Sequence, residues 1–282
     1  MFGAVAFSGK AIIVKLAYRY GVDAVTLIML RMLFALPFFV ALAWWAGRGQ
    51  PRLGARDWRV VTLLGFSGYY LASFLDFWGL QYISASLERL ILYLGPTLVL
   101  LLGRVLFKRR VARAQLVALA ISYLGVMLVF GHELQLDGQN TALGAALVFG
   151  STLSYAIYLV FSGEEVQRLG AARLTGLASS VACVLCILQF VVLRPLDSAL
   201  AVAPQVLWLS LLNATLCTFA PVLMVMMAIE RIGAALASQA GMIGPVSTIA
   251  MGVWILGEAL NGWIIAGTLL VLGGITMLAR LR

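Results

Sequence analysis

The sequence predicts an all-α integral membrane protein whose ten transmembrane helices form a five-plus-five inverted repeat. Three observations carry this. Of 282 residues, 63% are hydrophobic and 11% charged, with a mean hydropathy of +1.02. A soluble domain is roughly half apolar and about one-quarter charged, so no aqueous fold could hide this much apolar surface. Ten apolar segments approach the roughly 20 residues a helix needs to cross a bilayer. Finally, "ILYLGPTLVLLLGRVLF" (91–107) is matched in pattern by "AGMIGPVSTIAMGVWIL" (240–256), at a constant offset of 149.

The ten segments fall at about 2–18, 25–46, 59–82, 85–106, 113–130, 142–162, 173–193, 206–229, 234–256 and 263–281. Their connections are short. "GHELQLDGQN" (131–140) is the most polar connector and the natural midpoint. It divides the chain into a first repeat, 1–135, and a second, 136–282, which together make one unit. Residue 2 already lies in an apolar run with no basic segment before it, so the first helix is expected to be retained rather than cleaved.

Charge sets the orientation. With both termini in the cytoplasm, the inner loops and C-terminus hold 13 basic residues, among them Arg48, Arg52, Lys108, Arg109 and Arg110, while the outer loops hold only Arg19 and Arg194. Basic residues favour the cytoplasmic side. The expectation is a multi-pass protein of the plasma membrane (bacterial inner membrane). The same rule accounts for the net charge of +9 without nucleic acid.

At offset 149, Ile83 meets Ile232, Ala85 meets Ala234, Gly95-Pro96 meets Gly244-Pro245, Gly103 meets Gly252 and Gly125 meets Gly274. Near the start of each half the offset is 142, pairing Ala4 with Ala146 and Phe7 with Phe149. Five crossings per repeat is an odd number, so the second copy must enter from the opposite side. Inverted repeats are an architecture of alternating-access transporters, with the substrate near the midplane.

Ionisable residues inside the bilayer cost about 2.5–3.5 kcal/mol at a helix centre on insertion scales and tend to be functional. Span 1 carries Lys10, which either attracts a substrate carboxylate or pairs with an acid, and Lys15, which can snorkel outward. Arg31 in span 2 either snorkels or pairs, or contacts an anion. In span 3, Tyr69, Ser73 and Asp76 recur at helical spacing and are expected to share a face. Asp76 is the candidate partner for a substrate ammonium or for Lys10. Tyr70 and Trp78 lie on other faces, toward lipid. In span 4, Ser86, Arg89, Tyr93 and Pro96 share a face; Glu88 and Arg89 are either an outer-mouth salt bridge or an outer gate. Span 6 carries Ser151, Tyr155, Tyr158 and Ser162, a stripe suited either to an aromatic ligand or to interhelical hydrogen bonds. In the second half, Ser238 corresponds to Arg89 and Met242 to Tyr93, while Gln239 and Asn213 add neutral polar groups. Pro96 and Pro245 each remove a backbone donor and can kink a helix, so they are candidate hinges.

Other chemistry is missing. Cys183, Cys186 and Cys217 read as small buried hydrophobes, and His132 as a residue at a span edge. No metal-binding, nucleotide-binding or diphosphate-binding motif stands in the chain, so an enzyme is not expected, nor a cofactor. The expected partners are a small-molecule substrate and the lipid bilayer, for a monomer or a homodimer. A channel fits less well, because pores usually display rings from several subunits.

Ten short spans, the repeat, and "LGE" (256–258) after a Gly-Pro helix resemble the EamA branch of the drug/metabolite transporter superfamily. "ERIGAALASQAGMIGPVSTIAMGVWILGEALNGWIIAGTLLVLGGI" (230–275) is the most specific part. Where that branch often has Gly-Glu after span 4, this chain has Lys108-Arg109. "SGKAIIVKLAYRYGVDAVTLIMLRM" (8–32) is similar to exporters of amino acids, including aromatic amino acid exporters of the YddG type. The resemblance implies export of small metabolites, most readily aromatic or other neutral amino acids and related drugs. A nucleoside, vitamin or sugar derivative is the alternative cargo.

Overall fold

The computed structural model describes residues 2–107, 113–137, 139–240 and 244–280. Spans 1 and 2 are Phe2–Tyr18 and Ala24–Gly47. Span 3 is three continuous pieces: Ala55–Gly65, a π-helical turn at Phe66–Leu71, and Ala72–Gly79. Span 4 is broken into Ala85–Leu92 and Gly95–Phe107, and spans 5, 6 and 7 are Arg113–Asp137, Gln139–Leu169 and Ala171–Leu193. After a one-turn helix at Asp197–Leu200, span 8 comprises Pro204–Ala214, a π turn at Thr215–Phe219 and the start of Ala220–Ala240. Gly233, at φ 79°, kinks that last helix and separates span 8 from span 9. Span 9 continues in Gly244–Met251 and a π turn at Gly252–Leu256, and span 10 is Gly262–Arg280.

Helix boundaries follow local chemistry. Asp23 accepts from Val25 N at 3.2 Å and Ser84 from Leu87 N at 3.0 Å, satisfying first-turn donors of spans 2 and 4. Gly170, at φ 76°, reverses the chain between spans 6 and 7, a conformation glycine adopts without steric cost. In span 4 the helix stops at Leu92 and restarts at Gly95. Pro96 is the cause, since it offers the Leu92 carbonyl no N–H.

Six described helices are long and apolar enough to cross a bilayer by themselves, and shorter apolar helices accompany them. The surface is apolar as well. All seven tryptophans, Trp44, Trp45, Trp58, Trp78, Trp208, Trp254 and Trp263, are exposed, and each stands near one end of a span. Exposed tryptophans at that depth form interfacial belts.

Spans 2 and 7 pack against each other, as do spans 5 and 10; span 1 lies against spans 8 and 9, and span 6 against spans 3 and 4. These pairings map onto themselves when the two repeats are exchanged. The contact between spans 5 and 10 shows the sense of the symmetry. A Cβ on Gly125 would meet the Gly267 carbonyl at 2.6 Å, and one on Gly274 the Ala118 carbonyl at 2.5 Å. Gly125 is the counterpart of Gly274, and Ala118 of Gly267, so the contact is isologous. It is also antiparallel: partner numbers fall as span 5 numbers rise. Equivalent spans therefore run in opposite directions. The π turns obey the same offset, because Phe66 and Thr215 are 149 positions apart.

Gly267→Leu should wedge spans 5 and 10 apart, since its Cβ would meet Val129 at 2.4 Å and the Gly125 carbonyl at 2.7 Å. The expected loss is about 1–3 kcal/mol, read as a lower thermal midpoint in detergent. Gly273→Leu, whose Cβ meets nothing within 4 Å, should leave that midpoint unchanged.

Candidate functional site

The buried charges gather near the end of the bundle where the loops around residues 19–23, 80–84 and 257–261 meet. Lys10 and Arg31 each lie about 10–12 Å along their helices from that end, at 1.5 Å per residue. The Lys10 ammonium donates to Asp76 Oδ2. It also lies 3.8 Å from Glu88 Oε1, and Glu88 Oε2 is 3.8 Å from Arg89 Nε. Spans 1, 3 and 4 thus share a chain of four buried charges. Glu88 is 0% exposed.

This revises two expectations. Glu88 and Arg89 are not an outer-mouth pair in water: Ala85–Leu92 is packed between spans 1, 6 and 9, which covers both. Arg31 does not snorkel, and among the described residues it enters no ion pair. It is 3% exposed, with its guanidinium carbon 4.5 Å from the centre of the Phe77 ring.

A second cluster is aromatic. Tyr69 of span 3 meets Tyr158 and Tyr155 of span 6 edge-on, at ring-centre distances of 5.1 Å and 6.2 Å, and Tyr155 stacks on Tyr158 at 5.6 Å. Tyr69 and Tyr158 are buried and Tyr155 is half-buried. The Tyr69 hydroxyl lies in electrostatic reach of the other two but makes no hydrogen bond of normal geometry. Gly68 makes room for this packing, since its Cβ would sit 2.4 Å from the Tyr158 ring.

The single stripe of Tyr69, Ser73 and Asp76 does not survive. Tyr69 faces span 6, Asp76 faces span 1, and Ser73 is half-buried between them. Residues 66–71 form a π turn, which holds more residues per turn than an α-helix and shifts the spacing on which the stripe rested. Span 6 anchors that turn. Ser154 donates to the Ser67 carbonyl and Ser151 to the Ala72 carbonyl, both at 2.7 Å. Ser151 is thus an interhelical hydrogen-bond donor. The face of Ser86, Arg89, Tyr93 and Pro96 is likewise divided by the break at residues 93–94. Tyr93 is buried at that break. Met242 lies outside the described residues, as do the side chains of Ser238, Gln239 and Pro245.

One contact had no local signal. Glu258 accepts from Ala85 N at 2.7 Å, Ser86 N at 3.2 Å and Ser86 Oγ at 2.6 Å. The acid after span 9 therefore neutralises the helix N-terminus of span 4, where a negative charge is favoured. Arg19, which donates to the Leu256 carbonyl at 2.6 Å, ties the same end across the repeats. At the opposite end, Arg168 bridges Asp57 and Glu165, each at 2.7 Å, and Arg173 donates to the Pro51 carbonyl.

Comparison with known proteins agrees with this architecture. Residues 1–131 and 142–280 each match the profile of the EamA-like transporter family. An uncharacterized transporter, YcbK, of Bacillus subtilis (strain 168) is 28% identical over 266 residues, 93% of this chain and 85% of that protein. An uncharacterized transporter of Archaeoglobus fulgidus is 22% identical over 75% of this chain and 72% of its own length. A solved structure described only as the crystal structure of a protein superposes with a TM-score of 0.71 at 16% identity, covering 99% of this chain and 95% of that one. It supports the fold.

The charge chain makes a stability prediction. Lys10→Met would leave Asp76 buried without its hydrogen-bonded cation and should cost about 3–5 kcal/mol. The double variant Lys10→Met/Asp76→Leu should recover most of that loss. Thermal unfolding of the purified variants in detergent reads both.

Proposed function

The chain belongs to the EamA-like transporter family, and on that premise we propose that it exports neutral amino acids, aromatic ones above all, by alternating access. It is a multi-pass membrane transporter of the drug/metabolite superfamily and not an enzyme. The observation that carries the finer reading is the placement of the Lys10–Asp76 pair and the Tyr69–Tyr155–Tyr158 cluster along one helix with a π turn, span 3. An amino acid carries two opposite charges and a side chain. A buried ion pair can exchange partners with the charges, and tyrosine faces can seat the side chain.

Residues 1–135 and 136–282 act in this reading as two halves of one transport unit. Pro96 and Pro245 provide bending points at matched positions, and the π turns in spans 3 and 8 supply further compliant segments. The chain carries no nucleotide-binding sequence, so a gradient drives the movement. The concentration of basic residues in one set of loops supports cytoplasmic termini in a bacterial inner membrane, and outward movement of cargo rests on the resemblance to metabolite exporters alone.

The test is counterflow in vesicles containing the purified protein. Vesicles preloaded with unlabelled amino acid should accumulate labelled phenylalanine or tyrosine faster than empty ones. Asp76→Asn, which keeps the side-chain shape, should fold and lose at least tenfold of that rate; Tyr155→Phe should lose severalfold. If no amino acid exchanges through folded protein, or both variants match the unmodified chain, the reading fails.

A further inference from the structure

Among the described residues, Arg31 is the buried charged side chain of the centre that the charge chain does not use. Its surroundings come from three spans: Phe77 and Asp76 of span 3 and the thiols of Cys183, Cys186 and Cys217 of spans 7 and 8. The thiols carry no compensating charge, and Asp76 is hydrogen-bonded to Lys10. Among the described residues, the buried charges of the centre are three cations, Lys10, Arg31 and Arg89, and two anions, Asp76 and Glu88. A net positive charge stands buried in the bilayer segment, where an uncompensated ion is costly.

The unmet hydrogen bonds have a geometry. Arg31 Nε and Nη2 are buried with no hydrogen-bond partner. These two nitrogens form one edge of the guanidinium fork, the edge that grips a carboxylate with two parallel bonds. The flat face is already fixed on Phe77, and the Tyr18 hydroxyl holds the Phe77 carbonyl at 2.6 Å. The complementary deficit lies nearby. Asp76 Oδ1, Glu88 Oε1 and Glu88 Oε2 are buried acceptors that receive no hydrogen bond. The open fork edge of Arg31 and the carboxylate of Asp76 lie within electrostatic reach of each other.

We propose that Arg31 is the anchor for the substrate carboxylate, gripping it through Nε and Nη2, while the substrate ammonium docks at Asp76 Oδ1 and the adjoining Glu88. This rests on the amino acid reading above and sharpens it: the cargo is a zwitterion with a free carboxylate. A neutral amide or a bare amine would leave the fork unmatched. Guanidinium rather than ammonium is required, because a lysine presents a point charge without the paired donors.

The experiment measures ligand-induced thermal stabilisation of the purified, full-length protein in detergent. The probes are the neutral L-amino acids, their amides, the corresponding amines, and the corresponding acids lacking the amino group. The expected result is that at least one amino acid binds, that its amide and amine bind at least tenfold more weakly, and that Arg31→Lys weakens the amino acid at least tenfold while leaving its amide unchanged. The acid-to-amide comparison uses the unmodified chain, so the proposal stays testable if Arg31 variants do not fold. An amide that binds as tightly as its acid overturns the anchor, as does unaltered amino acid binding by folded Arg31→Lys; in both cases the amino acid reading stands. If only acids lacking the amino group bind, the carboxylate anchor at Arg31 stands, while the ammonium dock and the amino acid reading both fall. Binding by no carboxylate probe overturns both.

Discussion

Five is odd, and a repeat of five crossings that is copied once must thread the bilayer in the reverse sense the second time. Everything else in this structure depends on that parity. It makes equivalent spans antiparallel, so that spans 5 and 10 meet with Gly125 on Gly267 and Gly274 on Ala118. It places a π turn at Phe66–Leu71 and another at Thr215–Phe219, on paths that run oppositely through the membrane. A backbone with this symmetry allows two related conformations open to opposite sides, which is what the proposed alternating access requires.

The chemistry does not share the symmetry of the frame. All five buried charges among the described residues, Lys10, Arg31, Asp76, Glu88 and Arg89, stand in the first repeat. At offset 149, Asp76 corresponds to Val225, Glu88 to Ala237 and Arg89 to Ser238. The reason is energetic. A charge in the bilayer is tolerated only among partners, so charges accumulate in one cluster instead of appearing twice. The second repeat supplies tyrosines, serines that hold the π turn of span 3, and Glu258. At the position equivalent to Glu258 the first repeat has Arg109. An acid stabilises a helix N-terminus and a base does not, so a clamp of this kind has the right charge only where Glu258 meets span 4.

Much of this was legible in the sequence, and the parts that were not share a cause. The ten spans and the Gly-Pro correspondence are local patterns, written in hydropathy and spacing. The pairing of Lys10 with Asp76 also followed from cost, since each needed a partner. Helical spacing failed wherever the helix was not α. The Tyr69, Ser73 and Asp76 stripe assumed uniform turns across a π segment, and the span 4 stripe ran through a break that Pro96 itself creates. Burial of Glu88, isolation of the Arg31 edge and capping by Glu258 are products of tertiary packing between distant segments. Glu258 stood out only as part of a family pattern, with nothing local to tie it to Ala85.

The claim of inversion is tested most directly by sidedness at two repeat-equivalent loop positions. Arg52 and Ala201 are 149 residues apart and both exposed, while the three native cysteines are buried. Single Arg52→Cys and Ala201→Cys variants can be labelled with a membrane-impermeant maleimide in intact cells and again after permeabilisation. The account predicts that one reacts in intact cells and the other only after permeabilisation. Reaction of both from the same side would contradict it.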